Sequence, residues 1–221
     1  MSENPQELLE QARQAASEGR AGDAKTGMER AIAELRGGAD CWALAQGLRT
    51  AAEVCRRLGD RASALSLYEE AVPLYREHGD RLRLAHAVRH LGDVYMELQR
   101  REPAEACYAE ALALYRNAPS PPEGDLANAL RSLAALKQDT GDLEEARALW
   151  QEARDRYEAA GITEGVAASS AHLALIAWKQ GDADAAGQWL ERARAASEAA
   201  GSAGVAQYIS ELQSLIGARK P

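Results

Sequence analysis

Small and large apolar residues recur along this chain in a fixed order. Alanine stands at Ala24, Ala64, Ala104, Ala146 and Ala186, and again at Ala31, Ala71, Ala111, Ala153 and Ala193, so both columns advance by 40, 40, 42 and 40 residues. Alanine supplies 48 of the 221 residues. One all-alanine column of five would then arise by chance about once in two thousand trials, and two in one register establish a period. Between the columns sits a larger residue, Met28, Tyr68, Tyr108, Trp150 or Leu190, four after the first alanine and three before the second. These spacings place all three on one helical face, where the bulk of one helix fills the gap of its neighbour. Another small column, Ala12, Ala52, Gly92, Ala134 and Ala174, runs ahead of them and is usually preceded by a large apolar residue such as Leu91, Leu133 or Leu173. A mid-helix glycine costs about 1 kcal/mol relative to alanine, and close approach of two helices is the structural reason to carry one at Gly92.

Glycine marks the turns. Gly19, Gly59, Gln99, Gly141 and Gly181 share one position, and Gly79, Gly161 and Gly201 share a second one twenty residues later. Glycine adopts the positive φ that ends a helix, so each repeat reads as helix, tight turn, helix, turn. The register predicts one domain over residues 1–221, with repeats at 5–38, 40–79, 81–119, 123–161 and 163–201. The stretch GVAQYISELQSLIG belongs to an amphipathic helix over 203–217 that caps the last repeat, and 218–221 are expected to fray. The prolines of NAPSPPEGD, residues 117–125, cannot continue a helix, which makes this segment a loop inside the array that absorbs the two extra residues of the long step.

The series Leu91-Gly92, Tyr95, Ala104, Tyr108 and Ala111 resembles the tetratricopeptide repeat, which pairs a Leu-Gly and a Tyr in its first helix with two alanines around an aromatic in its second. The resemblance runs from about residue 5 to about 217. It is best in the third repeat and degenerate in the first, where Gln11 and Ala15 stand at the Leu and Tyr positions. The period exceeds the family's usual length of about 34 residues, and the proline that ends the family's second helix is missing at Arg76, Arg116, Glu158 and Glu198. Both helices are therefore longer, as in the extended arrays of kinesin light chains, Pins-type polarity adaptors and some bacterial regulators. Armadillo and HEAT arrays share the period length without this alanine and aromatic register. The resemblance implies an all-α right-handed superhelix of five helix pairs plus a cap, with the first helices lining its concave side.

Composition sharpens this picture. Phe is absent, and long stretches are built of Ala, Leu, Arg, Glu and Gln, which lose little on entering a helix. The net charge of −8 argues against nucleic acid and anionic membranes as partners. No run of eighteen apolar residues occurs and MSENPQELLEQ lacks a secretion signal, so a cytoplasmic protein is expected. Arg outnumbers Lys and Ala is plentiful, which fits a GC-rich bacterial genome. Cys41, Cys55 and Cys107 are odd in number and widely spaced, the pattern of reduced small hydrophobes rather than of disulfides or a zinc knuckle.

The first helices then carry the candidate chemistry. One column reads Arg49, Arg89, Arg131 and Ala171; three residues earlier stand Gln46, His86, Asn128 and Ala168, and one later Thr50, His90, Ser132 and His172. Such a polar ladder offers guanidinium forks suited to carboxylates or peptide carbonyls. The competing reading neutralises each arginine within its helix, since Glu53 follows Arg49 and Asp93 follows Arg89 by four residues. Ala135 follows Arg131, which leaves that arginine to meet a ligand. In the fifth repeat Leu175 and Trp178 take the same face and form an apolar anchor, unless they pack on the terminal helix. His86 and His90 have the spacing of helical zinc ligands but lack the glutamate of the H-E-x-x-H motif and flank Arg89. GRAGDAKT, residues 19–26, ends like a phosphate-binding loop, but Ala24 replaces the required glycine.

No nucleophile, base and orienting acid cluster in sequence. The reading is a non-enzymatic interaction module without metal or cofactor, binding a protein or peptide, with acidic groups on the partner where the arginines meet it. Self-assembly through the terminal repeats into a homo-oligomer, and a peptide-sensing regulatory domain, stand as alternatives. The register itself is testable: Ala104→Glu drives a charge into a helix contact and is expected to abolish cooperative thermal unfolding followed by circular dichroism, whereas wild-type melting would contradict the register.

Overall fold

The computed structural model describes residues 4–218. Among them the regular structure is helical throughout: α1 (Pro5–Ser17), α2 (Ala21–Gly37), α3 (Cys41–Arg57), α4 (Arg61–His78), α5 (Arg81–Glu97), α6 (Arg101–Arg116), α7 (Glu123–Thr140), α8 (Leu143–Ala159), α9 (Thr163–Lys179), α10 (Ala183–Ala200) and α11 (Ala203–Ala218). The helices pair as the sequence periods predict. One boundary differs: the proline-rich loop ends at Pro122, and Glu123, Gly124 and Asp125 form the first turn of α7. Their two carboxylates face the positive end of the helix dipole, so residues read as loop are favoured inside the helix. The expected fraying of 218–221 falls almost wholly outside the described residues.

The chain divides into two compact units, one up to Ala118 and one from Pro119. In the first, each helix from α1 to α6 packs on its sequence neighbours, and α1 also touches α3. In the second, α7 to α11 pack in the same serial way, with α11 resting on both α9 and α10.

The alanine columns explain why the hairpins pack closely. All ten of their residues are fully buried, and the intervening Met28, Tyr68, Tyr108, Trp150 and Leu190 are buried with them. Gly92 lies under Tyr108: a Cβ added there would come within 2.7 Å of the ring and 3.1 Å of the Cys107 Cβ. The glycine is thus a contact residue, and its helix propensity cost is offset by packing of the ring.

The turns hold one anomaly. Gly19, Gly59, Gly141 and Gly181 take positive φ, and Gln99, at the equivalent position, is the one non-glycine residue to do so among the described residues, at 60°. The five caps that follow these turns also differ in kind. Asp60, Asp142 and Asp182 accept hydrogen bonds from the backbone of the next helix, whereas Arg20 and Arg100 make no side-chain cap for α2 and α6.

The terminal helix has the features of a cap. Ile209 and Leu212 join the apolar cluster of α9 and α10. On its other side Gln207, Ser210, Gln213 and Ser214 stand where α9 carries the buried Ala167, Ser170, Leu173 and Ala174.

The α5–α6 turn is therefore the site to improve. Gln99→Gly removes a left-handed penalty of about 1 kcal/mol, and Arg100→Asp supplies a cap of about 1 kcal/mol. The double variant is expected to raise the midpoint of urea unfolding without changing its slope, and an unchanged or lowered midpoint would contradict this account of the turn.

Candidate functional site

In the first unit the ladder residues form a dense charge network. On α3, Arg49 is half-buried and ion-paired with Glu53. Gln46 and Arg49 line a cavity of about 150 Å³ between α1 and α3. On α5, Arg89 is only 6% exposed and donates from Nη1 to Asp93 Oδ2 at 3.1 Å. Its Nη2 donates to His90 Nε2 at 2.7 Å. A guanidinium has no acceptor, so that ring nitrogen is bare and the proton sits on Nδ1, which donates to Asp93 Oδ2 at 3.1 Å. The 3.3 Å approach of Arg56 Nη1 to the same Nδ1 is then a meeting of two donors. It is held by the pairing of Arg56 with Glu97 at 2.5 Å and with Asp93 at 3.8 Å. Asp93 Oδ1 accepts from the Tyr108 hydroxyl at 3.0 Å. His86 lies edge-on to His90, ring centroids 4.5 Å apart.

Arg89 therefore needs correcting as a surface donor. It is buried and paired within α5 to Asp93 and His90, Asp93 in turn accepting from Tyr108 of α6, and its Nε has no hydrogen-bond partner. Removing it would leave Asp93 short of one cation inside the fold. The structure thus favours internal neutralisation for Arg49 and Arg89.

The second unit is arranged differently. Arg131 on α7 is exposed and holds no ion pair among the described residues. Asn128, three residues earlier on the same face, accepts through Oδ1 from the Tyr157 hydroxyl at 2.8 Å. With its oxygen so engaged, the amide keeps both N–H donors uncommitted. His172 on α9 stacks on Trp150 at 4.2 Å, nearly coplanar at 4°. Gln138 Oε1 accepts from Trp150 Nε1 at 3.0 Å and lies 3.2 Å from His172 Nδ1. Trp donates only, so Gln138 presents its oxygen, His172 Nδ1 carries the proton, and Nε2 is a bare acceptor. Leu175 is packed against the cluster of Ile209 and Leu212, which uses its apolar surface inside the unit. Trp178 is half-buried. The structure brings Gln46, Arg49 and Glu53 together on α3 and His86, Arg89, His90 and Asp93 together on α5, while Leu175 turns to the cap.

The tetratricopeptide repeat family matches residues 43–117 and 125–200. The chain belongs to that family. Its fold is shared with BtubC (BKLC) of P. vanneervenii, at 20% identity and a TM-score of 0.78 over 85% of this chain and 77% of that one. Aspartyl phosphate phosphatase F of Bacillus subtilis aligns at 17% identity with a TM-score of 0.81 over 96% of this chain. A Rap protein complexed with competence and sporulation factor aligns at 16% identity with a TM-score of 0.73 over 93% of this chain. The chain spans 53% of the length of the phosphatase and 56% of that of the Rap protein. These likenesses show an all-α helical repeat of the superhelical class. No curated protein matched the chain in sequence.

Within this tetratricopeptide chain three histidines, His86, His90 and His172, are held neutral. Burial, with His90, Arg89 and Arg49 beside it, pushes His86 down to about 3. Burial and the nearby Arg131 push His172 down to about 4. For His90 burial outweighs its hydrogen bond to Asp93 and the direction is again downward. Burial raises Asp93, but the His90 hydrogen bond and the charges of Arg89 and Arg56 more than reverse it, and its carboxyl titrates low. Burial drives the Cys55 and Cys107 thiols up to about 11, as expected of inert small hydrophobes, whereas Cys41 is exposed at the start of α3. Among the described residues no group of three or more His, Cys, Asp or Glu side chains is placed to hold a metal ion, and no helix is long and apolar enough to cross a membrane.

Gln138, Tyr108 and Tyr157 hold the candidate residues by hydrogen bonds and lie outside the ladder columns. Gln138 shares the column of Arg56, Met96 and Trp178, and comparing the fourth repeat there would have found it. The tyrosine hydroxyls carry no such signal, because their rings already satisfy the core pattern.

The tetratricopeptide repeats should accordingly lose stability in acid. An unfolded histidine titrates near 6.5, while folded His86 and His172 refuse the proton down to about 3 and about 4. Between those limits the unfolded chain binds more protons, so stability falls as pH falls. The low-titrating Asp93 adds a loss in the same direction, beginning only below the ordinary carboxylate range. The urea midpoint is expected to drop from pH 7.5 to pH 5, with a smaller drop in a His86→Gln, His172→Gln variant. A wild-type midpoint that stays level would refute the burial of these rings.

Proposed function

We propose that this chain is a non-enzymatic protein-interaction module whose first helices receive a peptide segment with a carboxylate. One observation carries the reading: Arg131 is exposed and free of ion pairs beside an Asn128 whose amide oxygen is already tied to Tyr157. Together they offer a guanidinium fork to an acidic side chain and two amide donors to backbone carbonyls. Donors held by packing of their neighbours reduce the ordering cost of binding on the protein side.

The family supports the general role. The Rap neighbour was captured with competence and sporulation factor bound, which fits a reading of this array as a receiver of partners and, by extension, as a peptide-sensing regulatory domain. The phosphatase activity in the name of the Bacillus subtilis neighbour belongs to that protein. A cytoplasmic, bacterial setting is part of the same reading, resting on the three free cysteines and on the arginine- and alanine-rich composition.

Arg131→Ala should separate binding from folding. Because the side chain is exposed and unpaired, its removal is expected to leave the melting temperature within about 1 °C, a surface substitution costing little. Capture on an array of immobilised peptides with and without Asp and Glu should weaken about tenfold for the acidic members, equivalent to about 1.4 kcal/mol. Equal capture by the variant and the wild type would remove Arg131 from the binding face and the reading with it.

A further inference from the structure

The cavity between α1 and α3 belongs to the first unit, and its lining is of another kind than the surroundings of Arg131. Its volume is about 150 Å³, below the roughly 300–1,000 Å³ of sites for whole small molecules and sufficient for the end of one side chain. Gln6, Glu10 and Arg13 of α1 and Gln46, Arg49 and Thr50 of α3 form its polar lining, and Leu9, Leu35, Ala43 and Gly47 complete it with apolar surface that meets the methylenes of an incoming side chain. The charges cancel locally. Arg13 donates to Glu10 at 3.2 Å on one wall, and Arg49 is paired with Glu53 on the other. Thr50 spends its hydroxyl hydrogen on the Gln46 carbonyl at 3.0 Å. What remains uncommitted is a pair of primary amides, since neither the Gln6 nor the Gln46 side chain has a hydrogen-bond partner among the described residues.

We infer that this cavity is a subsite for an uncharged side-chain amide, that of a glutamine or asparagine on the bound peptide. An amide is the group that uses both halves of each glutamine, donating to its oxygen and accepting from its nitrogen. An incoming carboxylate finds Arg13 and Arg49 already paired and meets Glu10 and Glu53 beside them. An ammonium meets the reverse. A leucine of similar volume strips water from two polar groups and returns no hydrogen bond, which costs affinity. The inference rests on the reading that the first helices carry the binding groups, and it assigns an amide-selective cavity to the first unit.

The full chain, labelled with nitrogen-15, is titrated with N-acetyl-glutamine amide, N-acetyl-glutamate amide and N-acetyl-leucine amide. The side-chain NH2 signals of Gln6 and Gln46, assigned through Gln6→Leu and Gln46→Leu, report occupancy directly. The glutamine compound should shift both pairs along a saturating curve. The other two should bind about fivefold more weakly or worse, the consequence of an unmatched polar group. Gln46→Leu should abolish the response at Gln6 while keeping the backbone spectrum of a folded chain. Should the glutamine compound leave both amide pairs unmoved, or should leucine or glutamate saturate them equally well, the amide subsite is wrong. Gln6 and Gln46 play no part in the Arg131 experiment, so that result leaves the carboxylate reading to be judged separately. Loss of acidic-peptide capture by Arg131→Ala would in turn say nothing for the amide cavity.

Discussion

The whole arrangement depends on the methyl-sized contact. Ten alanines in two columns are fully buried, and each lets the backbone of one helix come near the side chains of the next. A β-branched or long residue in those columns would separate the helices and strand the large residue between them. Gly92 is the extreme case, where even a methyl group would collide with the Tyr108 ring. Because the same ring sends its hydroxyl to Asp93, this contact also fixes the carboxylate around which Arg89, His90 and Arg56 gather. Core geometry and polar network are one construction in the first unit.

Periodicity made the helices legible because their determinants are local and repeated: spacing of small residues, a glycine at each turn, a proline run at the one irregular loop. It failed where a residue's surroundings come from elsewhere in the chain. Arg89 occupies the column of the exposed Arg131, yet it is buried and bonded to its own helix neighbours Asp93 and His90, and the distant Tyr108 holds Asp93 in turn. Leu175 reads as an anchor on a binding face until α11 covers it. The loop of 117–125 ends earlier than its prolines suggest, because the two carboxylates of Glu123 and Asp125 favour a helix N-terminus, while the repeat register at 123 coincides with the start of α7. Gln99 was placed in the glycine column by register alone, and its positive φ shows that the fold imposes the turn where the residue does not favour it.

The surroundings of the arginine column differ between the units through a small change in sequence. Position for position, Glu53 and Asp93 become Ala135 and Leu175. Deleting the carboxylates frees the arginine of the fourth repeat and lets the fifth turn apolar toward its cap. A repeat array can thus vary ligand chemistry along its length by substitutions at one column, because the packing columns carry the fold independently.

A similar economy operates on the second helices, where charges select the order of the repeats. Arg36 pairs with Glu70 at 2.5 Å and Arg76 with Glu110 at 2.6 Å, one repeat apart in each case. At the equivalent positions of the last two repeats the signs are exchanged, with Glu158 followed by Arg192. Arg192 lies over the Trp189 ring, 4.6 Å from its centroid, so the exchange does not act by forming another ion pair. Its effect is on wrong pairings. Docking the second or third repeat against the fourth would set Glu70 or Glu110 against Glu158, and docking the fifth against the first or second would set Arg192 against Arg36 or Arg76. Each exposed like-charge contact costs only a few tenths of a kcal/mol. Alanine columns common to every repeat would accept any order, so even that margin distinguishes the native order from its competitors.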